Sequence, residues 1–444
     1  MKPNRLPVDP GPAGWNAILP PAPDATPLKG EAKADWLIIG AGPTGLAAAR
    51  QLNLLQPDAG IAVLDAVRIA EGPAGRNSGF MIDLPHDLAS DNYGGAIAAD
   101  RKQTQANRAA IAFNLKAAKD YAMPEEAIRH SGKVNAAATD KGLSHNADYA
   151  SHLANMGEDH RLLNAAEMKA ITGGDYYKGG LFTPGTALLQ PAQFYRGMAA
   201  GLGRSGVAVH ECSPVINLTR TDGGWLAETP NGSVRSTGVI MAVNGHAESF
   251  GLFQRRLMHV FTYASLTRAL TAEEVARLGG EPNWGFTPAD PLGTTVRRIS
   301  GVGGDRIVIR NRFTYDPTME VGPARLCSVG RSHRRAFEAR FPMLSGVEME
   351  YCWGGRLCLS RNNVPAFGEV EPGLIVASCQ NGLGTAKGAL SGMMAATLAT
   401  RQDSDLLHDH MAQAAPVRLP PEPFSWLGAN AVMKWGEVKA GAEM

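Results

Sequence analysis

The stretch Ala34–Leu46, ADWLIIGAGPTGL, sets Gly40, Gly42 and Gly45 at the G-x-G-x-x-G spacing directly after an apolar run, Trp36–Ile39. Four apolar residues in a row suit a strand buried on both faces of a parallel sheet. Leu46–Leu55 (LAAARQLNLL) is rich in Ala and Leu and predicts a helix. A lone G-x-G-x-x-G is often an ordinary glycine turn. Strand, turn and helix in this order are the context in which it binds a dinucleotide. Gly40 then allows the tight turn, Gly42 lets backbone approach a pyrophosphate, and Gly45 lets helix and strand pack closely. Pro43 and Thr44 stand at the helix start, where free N–H groups attract phosphate. A second strand, Ile61–Leu64, runs into Asp65 and Ala66, and a carboxylate there suits ribose hydroxyls. It also disfavours a 2′-phosphate, which leaves FAD or NAD.

The chain has 444 residues, enough for two intertwined domains. Lys plus Arg number 43 and Asp plus Glu 42, so no basic field marks a nucleic-acid partner. No apolar run reaches the length of a membrane span. Residues 1–33 are Pro-rich without a signal-peptide core, and predict an extended arm on the surface. Trp15, Ile18 and Leu19 favour a docked arm over a disordered one. Cys212, Cys327, Cys352, Cys358 and Cys379 form no C-x-x-C pair, as expected of reduced thiols in a cytoplasmic protein. No metal-ligand spacing is visible, and His408 and His410 read as solvated.

Further along, Glu71–Phe80 (EGPAGRNSGF) is a small-residue loop in which Arg76 could pair with phosphate and Asn77 and Ser78 could bond ring heteroatoms. Residues 95 to 170 read as mostly helical. A helix opens near Pro191, and a hairpin follows with its turn at Asn231-Gly232. Gly238–His246 (GVIMAVNGH) is a buried strand ending in a small-residue turn. From 257 to 312 the composition alternates and predicts an antiparallel sheet. Strand Gly373–Ser378 runs into Gln380–Thr385 (QNGLGT), a second glycine-rich helix start. The expected fold is α/β, a Rossmann-like dinucleotide domain intertwined with a second, mainly antiparallel β-sheet substrate domain. The expected segments are 34–95, 180–256 and 350–410 for the cofactor, 96–179 as a helical insertion, 257–349 as the β-rich substrate domain, and 411–444 as a tail.

The order GAGPTGL with Asp65, GRNSG, LLQPAQF, VIMAVNG, WGGR with NNVPAFG, and NGLGTAKGALSG resembles the glycine/D-amino-acid oxidase (DAO-type) family of FAD-dependent amine oxidoreductases. GRNSG and PEPFSWLG are similar to its gamma-glutamylputrescine oxidoreductase branch. The resemblance covers about residues 34 to 430. It implies FAD bound in an extended form, hydride transfer from a carbon next to nitrogen, and an imine that hydrolyses; the FAD is expected to be non-covalent, with a thioether from one cysteine as the alternative. It also implies an amine or amino-acid substrate, and oxygen or another electron acceptor. Carried over, the glycine turn Gly40, Gly42, Pro43, Thr44 and Gly45 holds pyrophosphate and Asp65 the ribose. Arg76, Asn77 and Ser78 touch phosphate or flavin, and Val215 meets adenine through its backbone. Gly355, Arg356, Gly382, Gly384 and Thr385 line the ring, with Asn244, Gly245 and Leu383 in the neighbouring turns. The chain departs from the family at Asn362-Asn363, where many members carry an acid, at Lys387, where the branch carries an apolar residue, and at Asp65, where Glu is usual.

Substrate-side candidates are Tyr263, Arg310, Arg312 and Tyr315 from the β-rich domain, and Trp353, His86 and Lys387 from the flanking segments. An Arg would hold a carboxylate and aromatics would cage an amine; the bland alternative is solvated strand ends and core. His246 and His259 are weaker candidates. Two other functions stand beside this one: an NAD-dependent dehydrogenase and a non-catalytic flavoprotein subunit.

Overall fold

The computed structural model describes residues 1–85 and 94–444. One sheet is built on the strand Gly30–Ile39, which pairs in parallel with Ile61–Leu64 on one side and Gly232–Met241 on the other. Ala208–His210 and Leu374–Ser378 extend it at either side, also in parallel. Asn217–Thr221, Gly224–Thr229 and Ala366–Glu371 complete it as antiparallel strands. Leu37, Ile38, Val63, Val239 and Ile240 are fully buried in it, as the apolar runs require. Gly232–Met241 is one ten-residue strand where the sequence suggested a short hairpin arm and a separate strand. Gly238 sits inside it because the Trp36 ring lies where its Cβ would stand, 2.2 Å away.

The second sheet runs Met349–Leu359, Met258–Thr267, Arg306–Tyr315, Thr295–Ile299, Trp284–Pro288, Lys133–Ala137, Gly179–Thr183, Arg161–Asn164. All neighbours are antiparallel except Trp284–Pro288 with Lys133–Ala137. The expected combination, a Rossmann-like sheet plus a mainly antiparallel one, is therefore present.

Several segment boundaries differ. The insertion 96–179 holds the helices Ile97–Asp120, Asp140–Met156 and Ala165–Thr172, but it also gives two strands to the second sheet. Lys133–Ala137 is buried at every position, so it carries no alternation to read. Gly179–Thr183 and Met349–Leu359, assigned above to the cofactor domain, also belong to the second sheet. Within 411–444, helix Phe424–Ala440 is docked on Arg306–Tyr315, with Glu437 Oε2 accepting from Arg312 at 2.6 Å. His410 is buried against Phe367 rather than solvated.

The N-terminal arm lies along the surface and is docked through Trp15 and Ile18. Trp15 is fully buried; its Nε1–H donates to the Asn77 carbonyl at 2.8 Å, and its own carbonyl accepts from Gln190 at 2.8 Å. Residues 30–33 already form the central strand.

Gly45 fixes how the helix Pro43–Leu55 meets the sheet: a Cβ there would stand 1.7 Å from the Gly40 carbonyl oxygen. Gly45→Ala is expected to cost about 3 kcal/mol of unfolding free energy, as overpacking against rigid backbone does. Urea unfolding of the purified chain measures this; an unchanged midpoint would contradict it.

Candidate cofactor site

The parallel strands end side by side, and their carboxyl ends open on one deep cleft. Gly40, Gly42, Pro43 and Thr44 line it where Gly30–Ile39 turns into the helix Pro43–Leu55. Gly40 holds φ +100°, and nothing lies within 4 Å of where a Gly42 Cβ would be. The backbone at this helix N-terminus is bare to a ligand, as phosphate binding needs. Gly45 lies behind this floor, in the packing contact described above.

Asp65 and Ala66 line the cleft at the end of Ile61–Leu64. Asp65 Oδ2 accepts from the Ala41 N–H at 2.7 Å and Oδ1 from the Val67 N–H at 3.0 Å. Burial nevertheless outweighs these bonds and pushes the carboxyl from its ordinary 3.8 up to about 6. Val215 borders the same cleft.

Asn244 and Gly245 follow Gly232–Met241; Gly382, Gly384 and Thr385 follow Leu374–Ser378; all five line the cleft. Asn244 Oδ1 accepts from the Cys379 N–H at 3.1 Å and ties the two turns together. Gln380 Nε2 donates to Thr44 Oγ1 at 3.3 Å, joining the late glycine loop to the early one. Leu383 turns away into a small core with Phe80, Ile82 and Leu188.

Asn77 and Ser78 line the cleft, but Arg76 does not. Its guanidinium donates to the carbonyls of Glu71 at 2.6 Å, Pro10 at 2.9 Å and Gly354 at 3.3 Å. With three backbone acceptors it serves as a clamp behind the loop. Arg297 does the same from the second sheet, donating to the carbonyls of Gly79 at 3.1 Å and Leu189 at 2.5 Å. Gly355 also lies behind, with its Cβ position 3.0 Å from the Arg76 carbonyl, while its neighbour Arg356 reaches the cleft.

Of the described substrate-side candidates, His246 and His259 line this cleft and the others do not. Tyr263 is fully buried, its hydroxyl 2.6 Å from Thr314 Oγ1. Tyr315 donates to Glu422 Oε1 at 2.8 Å, toward the C-terminal segment. Arg310 lies over the Phe313 ring at 4.5 Å, and Arg312 pairs with Glu437. Trp353 is core, its Nε1–H donating to the Arg76 carbonyl at 3.0 Å. Lys387 is half-buried in the helix Ala386–Ala399, and its charge is felt at His410. Asn362 holds the segment 415–417 through the Ala415 carbonyl and the Val417 N–H, away from the cleft. His86 lies outside the described residues.

Beside His246 and His259 the cleft is lined by Phe250, Met319 and Arg356, and by Pro3, Arg5, Leu6, Pro7 and Asp9 of the arm. His246 accepts from Arg356 Nη1 on Nε2, and its Nδ1–H is 3.1 Å from Ser249 Oγ. Burial first, then the Arg356 charge, pull its pKa down to about 3, so the ring is neutral at physiological pH. His259 Nε2 is 2.6 Å from Glu248 Oε2. VNGH at a strand end was a readable signal for His246; the arm carries none, because its partners lie hundreds of residues away. Among the described residues no group of three His, Cys, Asp or Glu side chains could hold a metal.

A bare glycine floor, a buried carboxylate beside it and a second glycine loop fit a dinucleotide cofactor. Residues 35–398 match the model of a family described as FAD dependent oxidoreductase, DAO. "Probable oxidoreductase OrdL" of Rhizobium meliloti is 24% identical over 418 residues, 90% of this chain and 91% of that protein. Gamma-glutamylputrescine oxidoreductase of Escherichia coli is 24% identical over 374 residues, 82% of this chain and 83% of that one. Glycine oxidase from Geobacillus kaustophilus superposes with a TM-score of 0.69 at 16% identity, covering 88% of this chain and all of that one.

Asp65 yields a pH test. The folded chain without ligand keeps a proton that the unfolded chain has lost between about pH 4 and 6, so this group's contribution to stability falls as pH rises through that range. Ribose hydroxyls donating to the carboxylate favour its charged form, so FAD affinity is expected to rise from pH 5 to 7. Asp65→Asn should weaken FAD binding at least tenfold, about 1.4 kcal/mol, and flatten that pH dependence in a fluorescence titration.

Proposed function

The chain belongs to the DAO family of FAD-dependent oxidoreductases, and we propose that it oxidises an amine or amino acid at the carbon beside nitrogen, giving an imine that hydrolyses. The observation that carries this reading is the meeting of the two sheets. The edge strand Met349–Leu359 brings Arg356, Leu357 and Cys358 onto the same cleft as the glycine floor, so a bound dinucleotide is enclosed between the sheets.

In this reading the N–H groups of Gly42 and Thr44 hold the pyrophosphate, Asp65 the ribose and Val215 the adenine. Asn77, Ser78, Gly382, Gly384 and Thr385 border the ring system. Bound FAD supplies the electron pair acceptor for a hydride, which removes the need for a protein nucleophile. What falls to the chain is binding, orientation and exclusion of water. Neutral His246 takes a hydrogen bond from Arg356, and Asp9 offsets the charge of that guanidinium from the other side. The cleft thus offers an amine substrate a cation already balanced, and no strong base.

FAD is taken as non-covalent: Cys358 borders the cleft, but its contact with Cys379 and its burial raise the thiol pKa and keep it protonated. A cytoplasmic location agrees with five cysteines that form no disulfide. The family's use of FAD sets the NAD-dependent reading aside.

Mixing the purified yellow protein with a panel of amines and amino acids without oxygen tests the proposal. Loss of the oxidised-flavin absorbance with one compound is the expected outcome, and the speed of recolouring in air then separates oxygen from another acceptor. A flavin that no amine or amino acid bleaches would favour the non-catalytic reading.

A further inference from the structure

We propose that the N-terminal arm is part of the cofactor site, with residues 3–10 acting as a strap that holds FAD in the cleft and the Asp9–Arg356 ion pair as its latch. The inference rests on the FAD reading above. The arm lies outside the residues that match the family, 35–398, so the family match assigns it no role.

Three observations carry it. First, Pro3, Arg5, Leu6, Pro7 and Asp9 line the same cleft as Gly40–Thr44, Asp65 and Gly382. Second, the arm is fastened on both sides of that cleft. The Met1 ammonium and carbonyl pair with the Leu218 carbonyl and N–H, and the Asn4 N–H donates to the Ser249 carbonyl at 3.0 Å. At the other end the Pro10 carbonyl accepts from Arg76 Nη1 at 2.9 Å and from the Gly354 N–H at 3.1 Å. Leu218 is in the first sheet and Ser249 in the turn after its strand Gly232–Met241, whereas Gly354 is in the second, so the arm spans the two.

Third, between these anchors a charge pair is buried. The Asp9 side chain is 7% exposed and that of Arg356 8%, with Arg356 Nη2 3.1 Å from Asp9 Oδ1. The bond with donor geometry runs to Oδ2 at 3.3 Å, and Oδ1 is buried with no hydrogen-bond donor among the described residues. A buried acceptor left open on a cofactor cleft is what a hydroxyl of the FAD chain would satisfy. Pro3, Pro7 and Pro10 stiffen the segment in an extended form, which lowers the entropy lost on fastening it.

If the arm tightens FAD binding, FAD must tighten the docking of the arm by the same factor. The first measurement is FAD dissociation from three chains: wild type, a chain lacking residues 1–9, and Asp9→Asn. The truncated chain should lose FAD at least tenfold faster, and Asp9→Asn severalfold faster, with circular dichroism unchanged. The second is trypsin cleavage at the Arg5–Leu6 bond of the wild-type chain, which should slow when FAD is added. Should the truncated chain fail to fold, Asp9→Asn and the cleavage assay decide. A wild-type chain that holds FAD while Asp9→Asn releases it at the same rate, with cleavage insensitive to FAD, overturns the strap and leaves the FAD reading intact. A wild-type chain that binds no FAD overturns that reading itself.

Discussion

The contact between Gly45 and the carbonyl of Gly40 sets the geometry on which the cleft depends. With no room for even a methyl group, the helix Pro43–Leu55 is drawn against the end of the central strand. Its N-terminal N–H groups then point at the space above the sheet. A second close approach repeats the device. A Cβ on Gly392 would stand 2.1 Å from the Thr44 carbonyl, so the helix Ala386–Ala399 lies directly on the first one. Two helices with small residues at their contact place two glycine loops side by side, and Gln380 to Thr44 joins them. The floor of the cleft is therefore fixed by backbone packing, with little left to side-chain choice.

The walls are fixed by buried charge. Arg76 and Arg297 donate to carbonyls of the loop 71–79 and of the segments packed on it, Pro10, Gly354 and Leu189, which ties that loop down without placing either cation in the cleft. Planar guanidinium groups with several fixed donors suit this work better than lysine would. Arg356 is the exception: it faces the cleft and is balanced there by Asp9 and by a histidine that cannot itself become charged near neutral pH. The Arg356 charge is thus met inside the cleft by a carboxylate of the arm.

The glycine floor of the cleft was legible from sequence because its residues are consecutive and follow a fixed spacing. Most of the predicted positions from Gly40 to Thr385 line the cleft. Arg76 misled because a guanidinium aimed at carbonyls and one aimed at phosphate look alike in a sequence. The substrate side was not legible for a sharper reason. Strand alternation tells inside from outside only while the register holds, and the pairing shifts between Thr262 and Tyr263. Arg312 holds φ +65° within its strand. Each irregularity resets which residues face the cleft, so Tyr263 and Tyr315 came out as core. The arm was illegible because Asp9 and Arg356 are 347 residues apart.

That wide separation bears on how the molecule is made. The strands Gly30–Ile39 and Ile61–Leu64 leave the ribosome early, yet Leu374–Ser378, which finishes the parallel core, comes near the end. At ordinary rates of translation the gap is roughly 15 to 60 seconds. Throughout it the apolar edge of a half-built parallel sheet is available to wrong partners. A nascent chain shorter than Arg356 has an arm without its ion-pair partner, and one shorter than Ala386 has the first glycine loop without the helix that packs on it. The cleft is therefore complete only when the late helix has been made, and the early strands are the part left exposed longest.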